Sequence, residues 1–332
     1  ASGIDLVFEL PFPSAVNSAD YFASNAVKIL TELKLTDLAF GVELEHPEKL
    51  FEMKDLLQDD IFQAEIRTEL KKGLSYPTAA YKALCKMTQD EEIIANFTLP
   101  NNTLGIQYLK ALADFKAEVR VEFIKRIANN YYDKDLTGTV SSATALRELL
   151  RKNSDITPYV PDYGIKPDYL DQTEAEKRML LLLKYLFAVN DSDSFQNIWG
   201  VSEGIEKRIA GFVSKAEDYQ TLINNIQTKR YPQNKIKRLL LHILNNTAKT
   251  FEKQNLYYLR MLGSSQKGLK YINGLPKDLK SKIITSFKNQ ENNPLVRAEL
   301  AATGIYSLLA AKPELTMEEY KIPIITGGKN DN

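Results

Sequence analysis

Apolar and polar positions follow two different rhythms along this chain, and the change of rhythm divides it. In the first half, short apolar runs are spaced by helical stripes. Ile4 to Leu10 reads as a buried strand, stopped by Pro11 and Pro13. Phe22, Ala26, Ile29, Leu30 and Leu33 then recur on one helix face. Leu38-Ala39-Phe40 reads as a second strand ending at Gly41, and helical patterns follow over roughly 47–57, 59–72 and 77–88. Another helix opens near Asn101 and runs through Leu109 and Leu112, before a third strand at Val119 to Ile124. Ser142 to Leu150 reads as a helix with a hydroxyl cap. Strands separated by helices imply parallel βαβ units.

Pro158, Pro161, Gly164 and Pro167 crowd residues 153–171, and the domain boundary is placed there. Beyond it the rhythm is helical only. Thr173 and Glu176 form a capping box ahead of Met179, Leu183, Leu186 and Phe187. Stripes follow at Ile205 to Val213, Tyr219 to Ile226 and Ile236 to Leu244. Ile322 to Ile325 reads as a late strand and the tail from Gly327 as disordered. The expected architecture is α/β: a Rossmann-like domain with an incomplete parallel sheet over residues 1–160, then an all-helical domain over 161–326. Three strands are thin for a parallel sheet, which needs both faces covered.

Composition narrows the class. Apolar residues make up 44% and charged residues 26% of 332 positions, as in a globular protein and not a disordered chain. Lys+Arg and Asp+Glu are both 43, so no global field draws in nucleic acid and any such site is a local patch. One cysteine, Cys85, excludes an intrachain disulfide, and two distant histidines, His46 and His242, speak against a His-rich metal centre. No apolar run is long enough to span a membrane and no signal peptide opens the sequence, so a cytoplasmic location is expected.

Candidate chemistry clusters at expected element ends. Ser141, Ser142, Thr144 and Arg147 gather hydroxyls and a guanidinium at a helix N-terminus, where N–H groups and the dipole favour an anion; an ordinary Ser cap is the plain alternative. Arg126 ends the third strand, at the edge where α/β sheets take ligands, and suits either a phosphate fork or a surface ion pair. Gly41 permits close approach of a ligand or simply turns the chain. Asn101 is a helix cap or an amide for a base or ribose. Asp5 and Glu9 share one side of the first strand, Glu9 serving substrate, metal or a buried partner, and Asp20 and Glu43 are further acids. In the second half, Lys229-Arg230-Tyr231 leads into Lys235, Arg238 and His242 opposite the apolar stripe. That is either a solvated face or a basic strip with an aromatic residue for RNA, extendable by Arg260 and Lys267. Cys85 reads as an inert core residue.

Six stretches together resemble one family. They are Ser2-Gly3-Ile4-Asp5-Leu6-Val7-Phe8-Glu9-Leu10-Pro11; Glu69-Leu70-Lys71-Lys72-Gly73 with Ser75-Tyr76-Pro77; Pro100-Asn101-Asn102 with Leu104-Gly105; Ser142-Ala143-Thr144 with Arg147; Thr228-Lys229-Arg230-Tyr231; and Leu262-Gly263 with Lys267-Gly268. Their order and spacing resemble the bacterial tRNA(Met) cytidine acetate ligases, of the nucleotidyltransferase superfamily. The resemblance implies an enzyme that joins acetate to ATP, with Mg2+ accompanying the nucleotide and no tightly bound cofactor. It then passes the acetyl group from acetyl-adenylate to N4 of the wobble cytidine of elongator tRNA(Met). It implies ATP contacts at Gly41, Asn101 and Arg126, phosphate-facing residues at Ser142, Thr144 and Arg147, and tRNA contacts at Lys229, Arg230, Lys235 and Arg238.

The superfamily's two-histidine signature is not in this sequence. The resemblance therefore implies a member lacking its opening βαβ portion, with catalysis lost without it. Two other functions remain: a nucleotidyltransferase relative that adenylates another small metabolite, and a non-catalytic RNA-binding fragment.

Overall fold

Among the described residues six strands form two sheets: β1 (Leu6–Phe8), β2 (Asp37–Val42), β3 (Arg120–Lys125), β4 (Leu259–Ser265), β5 (Ile283–Ile284) and β6 (Ile324–Thr326). The computed structural model describes residues 3–125, 143–151, 154–159, 170–253 and 257–326. The chain divides into two compact units. One holds residues 17–128 and 227–236; the other holds residues 1–16, 129–226 and 237–332.

In the first of these units β2 and β3 pair in parallel, in register from Asp37 opposite Arg120 to Val42 opposite Lys125. The expected helices appear as Ala19–Glu32, Lys49–Gln58, Asp60–Lys71, Tyr76–Met87 and Pro100–Asp114. Local chemistry sets several starts. Asp59 accepts the N–H groups of Ile61 and Phe62 at 2.8 and 2.9 Å, and Pro100 occupies the first turn of its helix. Leu38, Phe40 and Val42 alternate onto one face of β2 and pack with Ala111, Leu112, Ile106 and Leu109. Gly105 makes that contact possible. A Cβ there would lie 2.8 Å from the Phe40 ring, so the helix can approach β2 only without a side chain.

The other unit departs from expectation at its strands. β1 does not join the parallel sheet. It runs antiparallel to β4, with Leu6 opposite Ser264, Val7 opposite Gly263 and Phe8 opposite Met261. β5 and β6 pair with β4 in parallel, so the second half is not all-helical. The stretch Leu259-Arg260-Met261-Leu262 followed by Gly263 and Ser264 suits helix and strand alike, and what decides β4 is partners distant in sequence. Ile4 and Val7 are exposed, unlike the residues of a strand buried on both faces. The late strand is present as β6. Gly268 again marks a close approach, since a Cβ there would meet the Asp5 carbonyl oxygen at 2.0 Å.

The helical stripes appear as Gln172–Val189, Ile205–Val213, Tyr219–Ile226 and Gln233–Leu244. The first begins earlier than the capping box implies. Asp171 is its cap, accepting from the Glu174 N–H at 3.1 Å, which puts Thr173 inside the first turn. The division into units does not follow the Pro- and Gly-bearing stretch 153–171. Pairing of β1 with β4 groups the first residues with the end of the chain, and 227–236 group with residues of the first half. The tail from Gly327 lies outside the described residues.

Candidate functional site

At the carboxyl edge of β2–β3, Gly41 lies opposite Ile124 and Val42 opposite Lys125. Glu43 follows at once, and a reciprocal clamp ties it to the helix Pro100–Asp114. The Glu43 N–H donates to Asn102 Oδ1 at 2.9 Å. Its carboxylate in turn accepts from the Asn101 N–H at 3.2 Å and from Asn101 Nδ2 at 2.9 Å. Asn102 is fully buried and donates through Nδ2 to the Asn96 carbonyl at 3.1 Å. A carboxylate therefore sits on the first turn of this helix, where the dipole favours it. Asn101 is not the cap, because the helix is capped at Leu99 and starts at Pro100. Its side chain joins the helix to the strand end instead.

The next residues of the loop are held just as firmly. Glu92 accepts the N–H groups of Glu45 and His46 at 2.8 and 3.0 Å, and its other oxygen lies 2.8 Å from His46 Nδ1 and 3.0 Å from Lys49 Nζ. These bonds, led by the His46 amide, pull its carboxyl down to about 2. Lys49 also binds Asp90 at 2.7 Å, and Lys125 at the end of β3 binds Glu45 at 2.7 Å. The Lys125 bond holds the Glu45 carboxyl below its ordinary range. The strand-end loop is thus fixed from both sides before any ligand arrives.

Sequence reasoning placed Gly41 and Asn101 here but noted Glu43 only as an acid. It missed His46, Lys49 and Glu92 in this role. Glu43 carries one local signal: it stands two residues past a strand-ending glycine. Glu92 carries none, since its partners are some 46 residues away in sequence.

The other expected site residues fall elsewhere. Arg126 and Ser142 lie outside the described residues. The helix expected at Ser142 appears as Ala143–Arg151 and carries Thr144 and an exposed Arg147. Thr228 and Tyr231 exchange backbone hydrogen bonds at 3.1 and 3.2 Å, a tight turn that puts Lys229 and Arg230 at an exposed tip. Lys235 is exposed one turn into the following helix, and Arg238 is half-buried.

Three parts of the expected basic strip do not hold. Tyr231 is only 4% exposed and lies under Lys235 Nζ, 4.0 Å from its ring centroid, so it is no platform for a base. His242 is 3% exposed, stacked on Trp199 and edge-on to Phe12. Burial lowers its pKa to about 4 and keeps it neutral. Arg260 is buried among carboxylates, binding Glu9 at 3.0 Å and also Glu319. Glu9 is therefore a buried partner and no ligand for substrate or metal. Lys267 pairs with Asp5 at 2.9 Å. Cys85 is exposed, not a core residue, because the helix Tyr76–Met87 buries Ala79, Ala80, Ala83 and Leu84 instead.

Known proteins similar to this chain agree in kind. The model of the HIGH nucleotidyl transferase family matches residues 1–321. A tRNA(Met) cytidine acetate ligase of Caldanaerobacter subterraneus is 32% identical over 98% of this chain and 84% of its own length. One of Anoxybacillus flavithermus is 30% identical over 97% and 84%. Among solved structures, apo Thermotoga maritima TmcAL superposes with a TM-score of 0.84 at 27% identity, covering 97% of this chain and 85% of that one. The same protein bound with alpha-thio ATP gives 0.80 at 26% identity, covering 97% and 84%.

Proposed function

Because the chain belongs to the HIGH nucleotidyl transferase family, and within it to the tRNA(Met) cytidine acetate ligases, we propose that it acetylates the wobble cytidine of elongator tRNA(Met) at N4, using acetate and ATP. A free carboxylate is a poor acyl donor, because its leaving group would be oxide. In the first step an acetate oxygen attacks the α-phosphorus of ATP, the bond to pyrophosphate breaks, and acetyl-adenylate forms. In the second the N4 amine attacks the acetyl carbon, the bond to AMP breaks, and the amine proton is released. Negative charge grows on the phosphates in the first step, so cations and N–H donors belong around them.

Arg126 follows β3 directly and is assigned to those phosphates, with Ser142, Thr144 and Arg147 as further donors. Gly41 and Asn101 are assigned to the nucleotide. Magnesium enters with the phosphates of ATP. The tRNA is assigned to Lys229, Arg230, Lys235 and Arg238. The observation that carries the reading is the strand-end loop itself. Gly41 and Asn101, the ATP contacts that the family resemblance implies, both stand at the carboxyl edge of β2–β3, where Glu43 bonds Asn101. The reading is tested by incubating the protein with ATP, labelled acetate and unmodified tRNA(Met) and searching the digested RNA for N4-acetylcytidine. Arg126→Ala should weaken ATP binding at least about tenfold, roughly 1.4 kcal/mol, as for a charge-assisted contact. Adenylation of another acid with no product from acetate would replace this reading with the broader nucleotidyltransferase one.

A further inference from the structure

The clamp at the end of β2 fixes more than the loop, because it also fixes which end of the Asn101 amide is already taken. A carboxylate only accepts hydrogen bonds, so the group of Asn101 that meets Glu43 Oε1 at 2.9 Å has to be its NH2. The neighbouring amide is set by the same logic. Asn102 accepts from one backbone N–H through Oδ1 and donates to a carbonyl through Nδ2. Asn101 is therefore left with Oδ1 for a ligand, and that oxygen makes no hydrogen bond among the described residues. The backbone N–H of Asn101 is also taken by Glu43. The first turn of this helix thus presents a carboxylate and a carbonyl oxygen, both acceptors.

This arrangement cannot serve a phosphate or the carboxylate of acetate, which are themselves acceptors. The nucleoside part of ATP, by contrast, has donors: the 6-amino group of adenine and the ribose hydroxyls. Resting on the assignment of Asn101 to the nucleotide, we infer that Asn101 reads the nucleoside of ATP as an acceptor. Glu43 is the positioning residue that holds it in that sense. Selectivity for a nucleotide bearing the matching donor is the consequence. An amide released from Glu43 turns either end outward and loses the distinction.

The experiment measures calorimetric affinities of the full chain and of Glu43→Gln and Asn101→Ala for four probes: ATP, GTP, 2′-deoxyATP and inorganic tripolyphosphate. GTP lacks the 6-amino donor and 2′-deoxyATP lacks one ribose donor. Both variants should weaken ATP about tenfold, the worth of one hydrogen bond. They should leave tripolyphosphate unchanged and leave unchanged the one analogue that lacks the donor Asn101 reads, so that analogue identifies the group. Loss of the same factor from all four probes would show a merely structural role and overturn the inference. So would a loss in tripolyphosphate affinity alone. Asn101→Ala keeps the question open to refutation should Glu43→Gln fold poorly. A parent chain that binds no ATP overturns the function proposed above together with this inference, whereas a parent that binds ATP with unaltered selectivity in both variants overturns only the inference.

Discussion

Asn102 does more for the strand-end loop than any residue chosen from sequence. Its side chain is fully buried and satisfies both the Glu43 amide and the Asn96 carbonyl. Asn102→Ala strands both groups, and an unpaired buried polar group costs about 1–3 kcal/mol. Urea unfolding should show a loss in that range, and a loss well under 0.5 kcal/mol would mean that water replaces the amide. Gly105 acts through space it does not fill. Gly105→Ala sets a methyl against the Phe40 ring, an overpacking that costs about 1–3 kcal/mol and pushes the helix away from β2. Its effect on ATP affinity should exceed that of a Gly→Ala change at Gly211, where no atom lies within 4 Å of an added Cβ. Cys85 is exposed on the helix Tyr76–Met87. An aromatic disulfide reagent should therefore label it in the native protein at a rate that denaturant raises little; labelling only on unfolding would mean that it is buried.

At the scale of elements, the turn Thr228–Tyr231 replaces the long basic strip that periodicity suggested. Burial of Tyr231 and His242 turns those side chains into packing, leaving Lys229, Arg230 and Lys235 exposed and Arg238 half-buried. Electrostatic contacts of this kind show in the salt dependence of binding, each phosphate adding just under one to its slope. Replacing Lys229 and Arg230 by glutamine should reduce the slope for tRNA(Met) by about 2 while ATP affinity stays within twofold. An unchanged slope in a filter-binding titration would remove the turn from the tRNA surface. Helices were legible because their stripes repeat within a few residues. β2 and β3 were legible for the same reason, as short apolar runs with breakers. Pairing of β1 was not, since the run Ile4 to Leu10 suits a parallel or an antiparallel partner, and β4 lies some 250 positions downstream.

At the scale of the molecule, the ends of the chain meet in one buried polar cluster. Arg260 binds Glu9 and Glu319, and Tyr258 donates to Glu9 at 2.6 Å and to Glu299 at 3.1 Å. Two carboxylates bind the one guanidinium and a third, Glu299, joins the cluster through Tyr258, so acids outnumber cations in it. Burial first, and the nearby Glu9 second, raise Glu299 to about 7. Its folded pKa thus exceeds its unfolded value, and the native state holds the extra proton between about pH 4.5 and 7. Stability from this group is present at the acid end and is lost as pH rises through 7. The loss is on the order of 3 kcal/mol. Burial raises Glu9 too, in the same sense. Glu299→Gln removes the titration, so the parent's stability relative to the variant should fall between pH 4.5 and 7.5 in urea denaturation. Parallel profiles would show that Glu299 is ionised throughout.

What the sequence by itself determined was everything written at short range: the helix stripes, the parallel pair β2–β3, and the placing of Gly41 and Asn101 at element ends. Motif spacing carried the family as well, and relatives about 30% identical over nearly the whole chain bear that reading out. Tertiary structure alone decided the rest. It turned Glu9 and Arg260 from candidate ligands into mutual partners, His242 into core, and Cys85 into surface. It also made Glu43 the link between the end of β2 and Asn101, 58 positions further on. The physical reason is common to all of these. Whether a polar side chain meets water, a ligand or a buried partner depends on what folds against it, and here that partner comes from far along the chain.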